Sequence, residues 1–216
     1  MLATIRDEGA KAATLAGQTL GTAMPNEPTP RLLADLATLP TLESERLRLR
    51  PLREGDLPDL FAVFADPDVM RYWTRPPMRD PDEARAYLAE IAQNFEARTG
   101  FKWGITRKDN DRVIGTTSLF RLDNAHQTAE IGYALGSAHW GNGYAAEAVR
   151  RVCQFGFEDL ALRRIEADID PRHHASIHVV EKAGFQREGV LRERYIYNGE
   201  IQDVVYYGLL AREFHP

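Results

Sequence analysis

Cysteine is nearly absent from this 216-residue chain: Cys153 stands alone, which excludes an intramolecular disulfide and fits a reducing cytoplasm. No apolar run approaches the ~20 residues a membrane span needs. Arg6, Asp7 and Glu8 interrupt the N-terminal stretch before a signal-peptide core can form. An excess of positive charge is also missing. The 27 Lys plus Arg against 32 Asp plus Glu leave a net charge of −5, so the basic footprint of a nucleic-acid binder is not there. What is there is ordinary for a soluble globular protein, with 44% hydrophobic and 27% charged residues. The expectation is one cytoplasmic domain with its own core, without membrane or nucleic-acid partners.

The pattern along the chain divides it at about residue 40. Residues 1–23 carry only a faint helical signal, and P-N-E-P-T-P after Met24 is a proline-rich spacer expected to be extended and mobile. Met24 is an alternative start. A short helix over Arg31–Leu39 would complete this extension, and residues 41–216 form the compact domain. Arg46–Leu52 alternates with the period of a half-buried strand. Helices follow over Asp56–Phe64, where Asp56 is a candidate N-cap, and over Pro81–Ala97, with a loop Val69–Arg79 between them. Strands are expected over Phe101–Thr106, Val113–Phe120, Glu130–Leu135 and Arg164–Asp170. Two more flank an Asn198–Gly199 turn. Between them lie a helix whose buried stripe includes Val149, Val152, Cys153 and Gly156, and another over Ala175–Ala183. On that stripe's outer side Glu147, Arg150, Arg151 and Glu158 face solvent. This is an α/β protein with a mixed, mostly antiparallel sheet of about seven strands and helices on both faces.

The chemistry gathers around E-I-G-Y-A-L-G-S-A-H-W-G-N-G-Y-A, Glu130 to Ala145, which reads as strand, glycine turn and helix start. Glycines at 141 and 143 permit backbone angles that other residues resist and let a ligand approach the main chain. The turn's amides and the first free N–H groups of the helix favour negative charge, and a diphosphate suits them. The turn has no Gly-Lys-Ser/Thr ending, so it is not the nucleoside-triphosphate loop, and its glycine spacing does not match the dinucleotide fingerprint.

Two further stretches accompany it: D-P-R-H-H-A-S-I-H-V-V-E-K-A-G-F from Asp170 to Phe185, and Tyr197 to Tyr207 with Asn198–Gly199 ahead of Asp203. Together the three resemble the GCN5-related N-acetyltransferases, GNAT, and within them the ribosomal-protein N-terminal acetyltransferase branch. The resemblance runs from about residue 41 to the C-terminus. It implies the GNAT fold, in which the strand before the turn splays from its neighbour to leave a V-shaped cleft. It implies acetyl-CoA as co-substrate and no metal. The pyrophosphate would sit on Trp140, Gly141, Asn142, Gly143, Tyr144 and Ala145. The pantetheine arm would pair along Tyr133, Ala134 and Leu135 like an added strand, with the thioester carbonyl facing the N–H near Tyr133. Ser176 matches a branch serine that assists departure of the CoA thiolate. His173 stands where the branch has Asn, so its pantetheine contact is an open point.

The implied activity is acetyl transfer to a primary amine by direct attack, the acceptor being a protein N-terminal α-amine. A small amine such as a polyamine or aminoglycoside, and a non-catalytic acyl-CoA sensor, are the alternatives. Monomer and homodimer both remain open. Glu130 is a candidate proton acceptor acting through water, against the simpler view of a solvated strand end. Ser176 has the rival reading of a helix-capping hydroxyl. Glu193 and Tyr195 are candidate acceptor contacts. Tyr72 and Trp73 form either a lid over the acceptor site or packing on the first helices. His174 and His178, four apart, make too poor a ligand set for zinc and read as surface histidines. Arg150 or Arg151 could reach a 3′-phosphate.

Overall fold

The computed structural model describes residues 36–215 apart from Thr74 and Asn198. The expected helix over Arg31–Leu39 falls mostly outside the described residues, and 36–39 are not helical. The order is β1 Leu42–Glu43, β2 Leu47–Arg50, α1 Leu57–Phe64, α2 Pro67–Met70, α3 Pro81–Glu96, β3 Gly100–Arg107, β4 Val113–Asp123 and β5 Thr128–Leu135. Then come α4 Tyr144–Glu158, β6 Arg164–Ile169, α5 His174–Lys182, β7 Gln186–Tyr197 and β8 Glu200–Leu210. One sheet of eight strands runs β1-β2-β3-β4-β5-β6-β8-β7. The strand beyond the seven expected is β1, whose two residues pair with Leu49 and Arg48 of β2. Asn198 of the expected final turn lies outside the described residues.

Alternation in the sequence becomes two-sided burial. Leu47 and Leu49 of β2 point into the core beside Trp103 and Ile105 of β3. The α4 stripe of Val149, Val152 and Cys153 covers the same face, with Ile131 of β5 and Ile165 of β6 beneath it. The opposite face carries α1 and α3, where Leu60, Phe64, Ala84, Tyr87 and Ile91 pack with Val113 and Ala134. The α3 start is fully specified. Asp80 accepts from Asp82 N–H, Glu83 reaches back to the Asp80 N–H, and Pro81 fills the first helical position.

Three local readings are corrected. Asp56 makes no side-chain cap bond to α1; its carboxylate instead receives both Arg50 Nη groups at 2.7 and 2.8 Å in a buried pair. A buried guanidinium needs that bidentate partner more than a helix end, which water can serve, needs a cap. The expected loop Val69–Arg79 begins later, since Val69 and Met70 are buried in α2, started by Asp66 and Pro67. Glu147 does not face bulk solvent. It accepts from Ser44 Oγ, Arg46 N–H and Arg46 Nε at 2.7–2.8 Å, fastening α4 to the residues before β2.

Among the described residues β5 and β6 are the only parallel neighbours in the sheet, and their pairing is short. Thr128, Ala129 and Glu130 pair with Arg164, Ile165 and Glu166, and beyond them the strands part. The rest of β5 keeps its antiparallel partner β4 as far as Leu135. A wedge therefore opens in the middle of the sheet, toward the glycine turn.

Candidate functional site

The turn at the head of the wedge is shaped by its own side chains. Gly141 and Gly143 have φ of +75° and +77°, left-handed values that cost a side-chain-bearing residue about 1–2 kcal/mol. The Asn142 amide donates to the carbonyls of His139 and Trp140, closing the loop from inside. Trp140 is half exposed, and its indole N–H donates to the Leu135 carbonyl at 2.7 Å, pinning the turn to the end of β5. A β-carbon on Gly141 would meet nothing within 4 Å, so the space over the turn is open. The α4 N–H groups that begin there have no acceptor within the helix. These features fit a diphosphate.

Arg46 was not expected at this place, because its alternating segment put it on a solvent face. Its Nη1 donates to the Asn142 carbonyl at 2.9 Å, and its guanidinium lies 4.8 Å from the Tyr144 ring centre. Nη2 sits 3.5 Å from where a Gly143 β-carbon would be. A cation thus flanks the turn, partly neutralised by Glu147. Arg150 and Arg151 are engaged elsewhere, donating to the carbonyls of His215 and Glu43.

Inside the wedge the candidate hydroxyl of Ser176 meets that of Tyr133. Tyr133 Oη and Ser176 Oγ are 2.7 Å apart, and the Tyr133 hydroxyl is also 3.0 Å from the Ser176 carbonyl. Ser176 is the third residue of α5, whose cap position is His173, and its hydroxyl is engaged with Tyr133. Burial pushes the Tyr133 phenol well above its ordinary value, so it stays protonated. The sequence pointed to Tyr133 only for its main chain; the side-chain contact crosses from β5 to α5 over 43 residues and leaves no local signal.

His173 lies at the N-cap of α5, its ring stacked on Tyr72 with centres 4.5 Å apart. Burial lowers its pKa below the ordinary 6.5, with the nearby Asp170 carboxylate opposing. Trp73 turns the other way and packs edge-on against Phe64. Of the two aromatic residues, Tyr72 faces the cleft and Trp73 joins the core as well as the cleft wall. His174 and His178 are exposed. Among the described residues no group of three or more His, Cys, Asp or Glu is placed to hold a metal ion.

A cavity of about 400 Å³ opens on the α3 side of the wedge. Glu130 reaches it from β5, Asp168 from β6, Tyr195 from β7 and Arg121 from the bulge in β4. Arg121 has φ +50° and directs Nη1 at both Glu130 oxygens, at 2.8 and 2.9 Å. Burial raises the Glu130 pKa, and the Arg121 contact offsets only part of that rise. Tyr195 Oη donates to Asp168 at 2.6 Å. Glu130 is therefore a buried, cleft-facing carboxylate rather than a solvated strand end. Tyr195 also reaches the cleft, whereas Glu193 is exposed and does not line it. Arg121 and Asp168 had no sequence signal, because β4 was expected to end at Phe120 and charged residues on a strand read as surface.

Residues 46–186 match the profile of a family described as Acetyltransferase (GNAT) domain. The uncharacterized N-acetyltransferase YoaA of Bacillus subtilis is 36% identical over 171 residues, covering 79% of this chain and 97% of that protein. A solved spermidine N-acetyltransferase from Vibrio cholerae, in complex with CoA and spermine, is 25% identical with a TM-score of 0.68. It covers 77% of this chain and 96% of that one. Mycobacterium smegmatis RimJ, in complex with CoA-disulfide, has a TM-score of 0.75 at 21% identity over 81% of this chain and 89% of its own, a likeness of fold.

Proposed function

This chain belongs to the acetyltransferase (GNAT) family and is an acetyl-CoA-dependent N-acetyltransferase; from that premise we propose that its acceptor is a free α-amine at a peptide or protein N-terminus, as in the RimJ-like branch.

One observation carries the choice of acceptor. Each carboxylate lining the cavity already has a partner. Glu130 has Arg121, Asp168 has the Tyr195 hydroxyl, and Asp170 and Glu90 have Arg172 and Arg75. Asp203 accepts the Glu193 N–H. A polycation gains little from the three acids already ion-paired with arginines, Asp168 and Asp203 each already accept from a neutral donor, and Lys102 on the same wall would repel it. A single amine that must be neutral to react suits this lining better. An α-amine titrates at about 7.7–8.0, so roughly a tenth or more is neutral at physiological pH.

The residues divide the work as follows. Gly141, Asn142, Gly143 and the α4 N-terminus hold the diphosphate, with Trp140, Tyr144 and Ala145 framing the turn. The edge of β5 turned away from β4, from Tyr133 through Ala134 to Leu135, receives the pantetheine amides, with the Leu135 carbonyl already accepting from the Trp140 indole. The N–H near Tyr133 is the donor for the carbonyl oxygen as charge develops there. The amine attacks the thioester carbon directly. Glu130 takes the amine proton through water, its raised pKa matching a weak base. Ser176 donates to the departing thiolate. His173, neutral and stacked on Tyr72, borders the arm.

A panel of free-amine peptides, N-blocked peptides and spermidine, read by CoA thiol release, tests the assignment. Turnover of free-amine peptides above spermidine is expected; turnover of spermidine alone would refute it.

A further inference from the structure

A second cavity, also about 400 Å³, adjoins the first and shares Tyr72, Trp73, Arg75 and Gln202 with it. Its chemistry is different. Arg71, Arg75 and Arg172 line it, against one carboxylate, Glu200. Arg75 is held by Glu90, and Arg172 by Asp170 and Glu200. Arg71 makes no ion pair with any described residue; its guanidinium lies 5.4 Å from the Tyr72 ring centre. Tyr72 is thus the partition. It stacks on His173 on the side of the first cavity and carries Arg71 beside the second.

We propose that the second cavity is a subsite for an anionic group carried by the acceptor, so that preferred acceptors pair a primary amine with a carboxylate or phosphate displaced from it. The first cavity takes an amine among acids that already have partners, and the wall it shares with the second leads to Arg71, which has no ion pair among the described residues. Planar guanidinium groups bind carboxylate and phosphate through paired N–H donors. A polycationic acceptor would meet Arg71 as a like charge, with Arg75 and Arg172 already paired beside it. The proposal rests on the α-amine reading and narrows it to N-termini with an acidic residue soon after the first. A free small molecule bearing the same two groups is the other source of that chemistry.

The test is kcat/KM for tetrapeptide amides of equal length, with Asp or Lys placed at the second, third or fourth position, alongside phosphoethanolamine. It is run with the wild type, Arg71→Ala and Arg71→Glu. An exposed ion pair is worth up to about 1 kcal/mol, so a preference of about fivefold for the best Asp peptide is expected. Arg71→Ala should abolish it and Arg71→Glu should reverse it, with KM for acetyl-CoA unchanged. Equal turnover of Asp and Lys peptides would overturn the subsite while leaving α-amine acetylation intact. Turnover of phosphoethanolamine but of no peptide, with the same dependence on Arg71, would keep the subsite and refute the peptide acceptor.

Discussion

Two hydroxyls 2.7 Å apart share two protons, and how they share them decides whether Ser176 can act as the acid. If Tyr133 donates to Ser176 Oγ, the serine proton is free for the thiolate. If Tyr133 donates to the Ser176 carbonyl, the serine proton is spent on Tyr133 Oη. The first arrangement predicts a specific hierarchy. Ser176→Ala removes one hydrogen bond to a developing anion, worth about 1.5–3 kcal/mol. At about 1.36 kcal/mol per decade that is a fall in kcat of roughly 10- to 150-fold. Tyr133→Phe leaves the serine in place but unoriented, so its fall should be smaller, about threefold to tenfold, the worth of a neutral hydrogen bond. If Tyr133 acts through Ser176, the double variant should be no slower than Ser176→Ala alone. Stopped-flow thiol release at saturating acetyl-CoA measures all three, with calorimetric coenzyme affinity as control. Multiplying losses in the double variant, or a Ser176→Ala enzyme with wild-type kcat, would refute the relay.

Gly143→Val puts a β-branched residue at φ +77°, where its β-carbon is still 3.5 Å from Arg46, so backbone strain rather than overlap disturbs the turn. Acetyl-CoA affinity should fall about tenfold or more in a folded protein, and unchanged affinity by calorimetry would remove the phosphate cradle. At His173, burial holds the folded pKa below the ordinary 6.5, so the unfolded chain takes up the proton first as pH falls. Its contribution to stability is therefore present above about 6.5 and lost on acidification below that, a loss His173→Asn should shrink in urea melts at pH 7.5 and 5.5. Identical losses in the two proteins would contradict the buried neutral ring. Any pH dependence of coenzyme affinity at His173 should likewise lie lower than for a solvated imidazole. Glu130→Gln should slow turnover about a hundredfold and erase an acid limb centred above 4.5, whereas a retained limb would assign the base elsewhere.

Local signals carried most of the architecture. The glycine turn, the α4 stripe and the alternation in β2 each depend on neighbours within a few residues, and each lies where the pattern put it. What the pattern could not express was long-range pairing of charges. Arg46 with Glu147, Arg50 with Asp56 and Arg121 with Glu130 were all charged residues that simple patterning assigns to solvent. A period-two signal reports which face a residue takes, not whether a partner from another strand or helix is waiting on it. The same limit hid the Tyr133–Ser176 contact. Glu193, named with Tyr195 from the family resemblance, lies exposed outside the cleft where the β7–β8 register shifts between Leu191 and Tyr195.

Cys153 gives the molecule a clock that needs no label. Its side chain is wholly enclosed between α4 and the sheet, and burial pushes the thiol far above its ordinary pKa. The folded enzyme is therefore silent toward disulfide reagents such as those that count CoA released in turnover. Any slow consumption of reagent by enzyme alone then measures α4 lifting from the sheet. Because the glycine turn is continuous with α4, acetyl-CoA at the turn should slow that labelling in proportion to its occupancy. A single thiol would then report both the opening of the core and the filling of a site on the far end of the same helix.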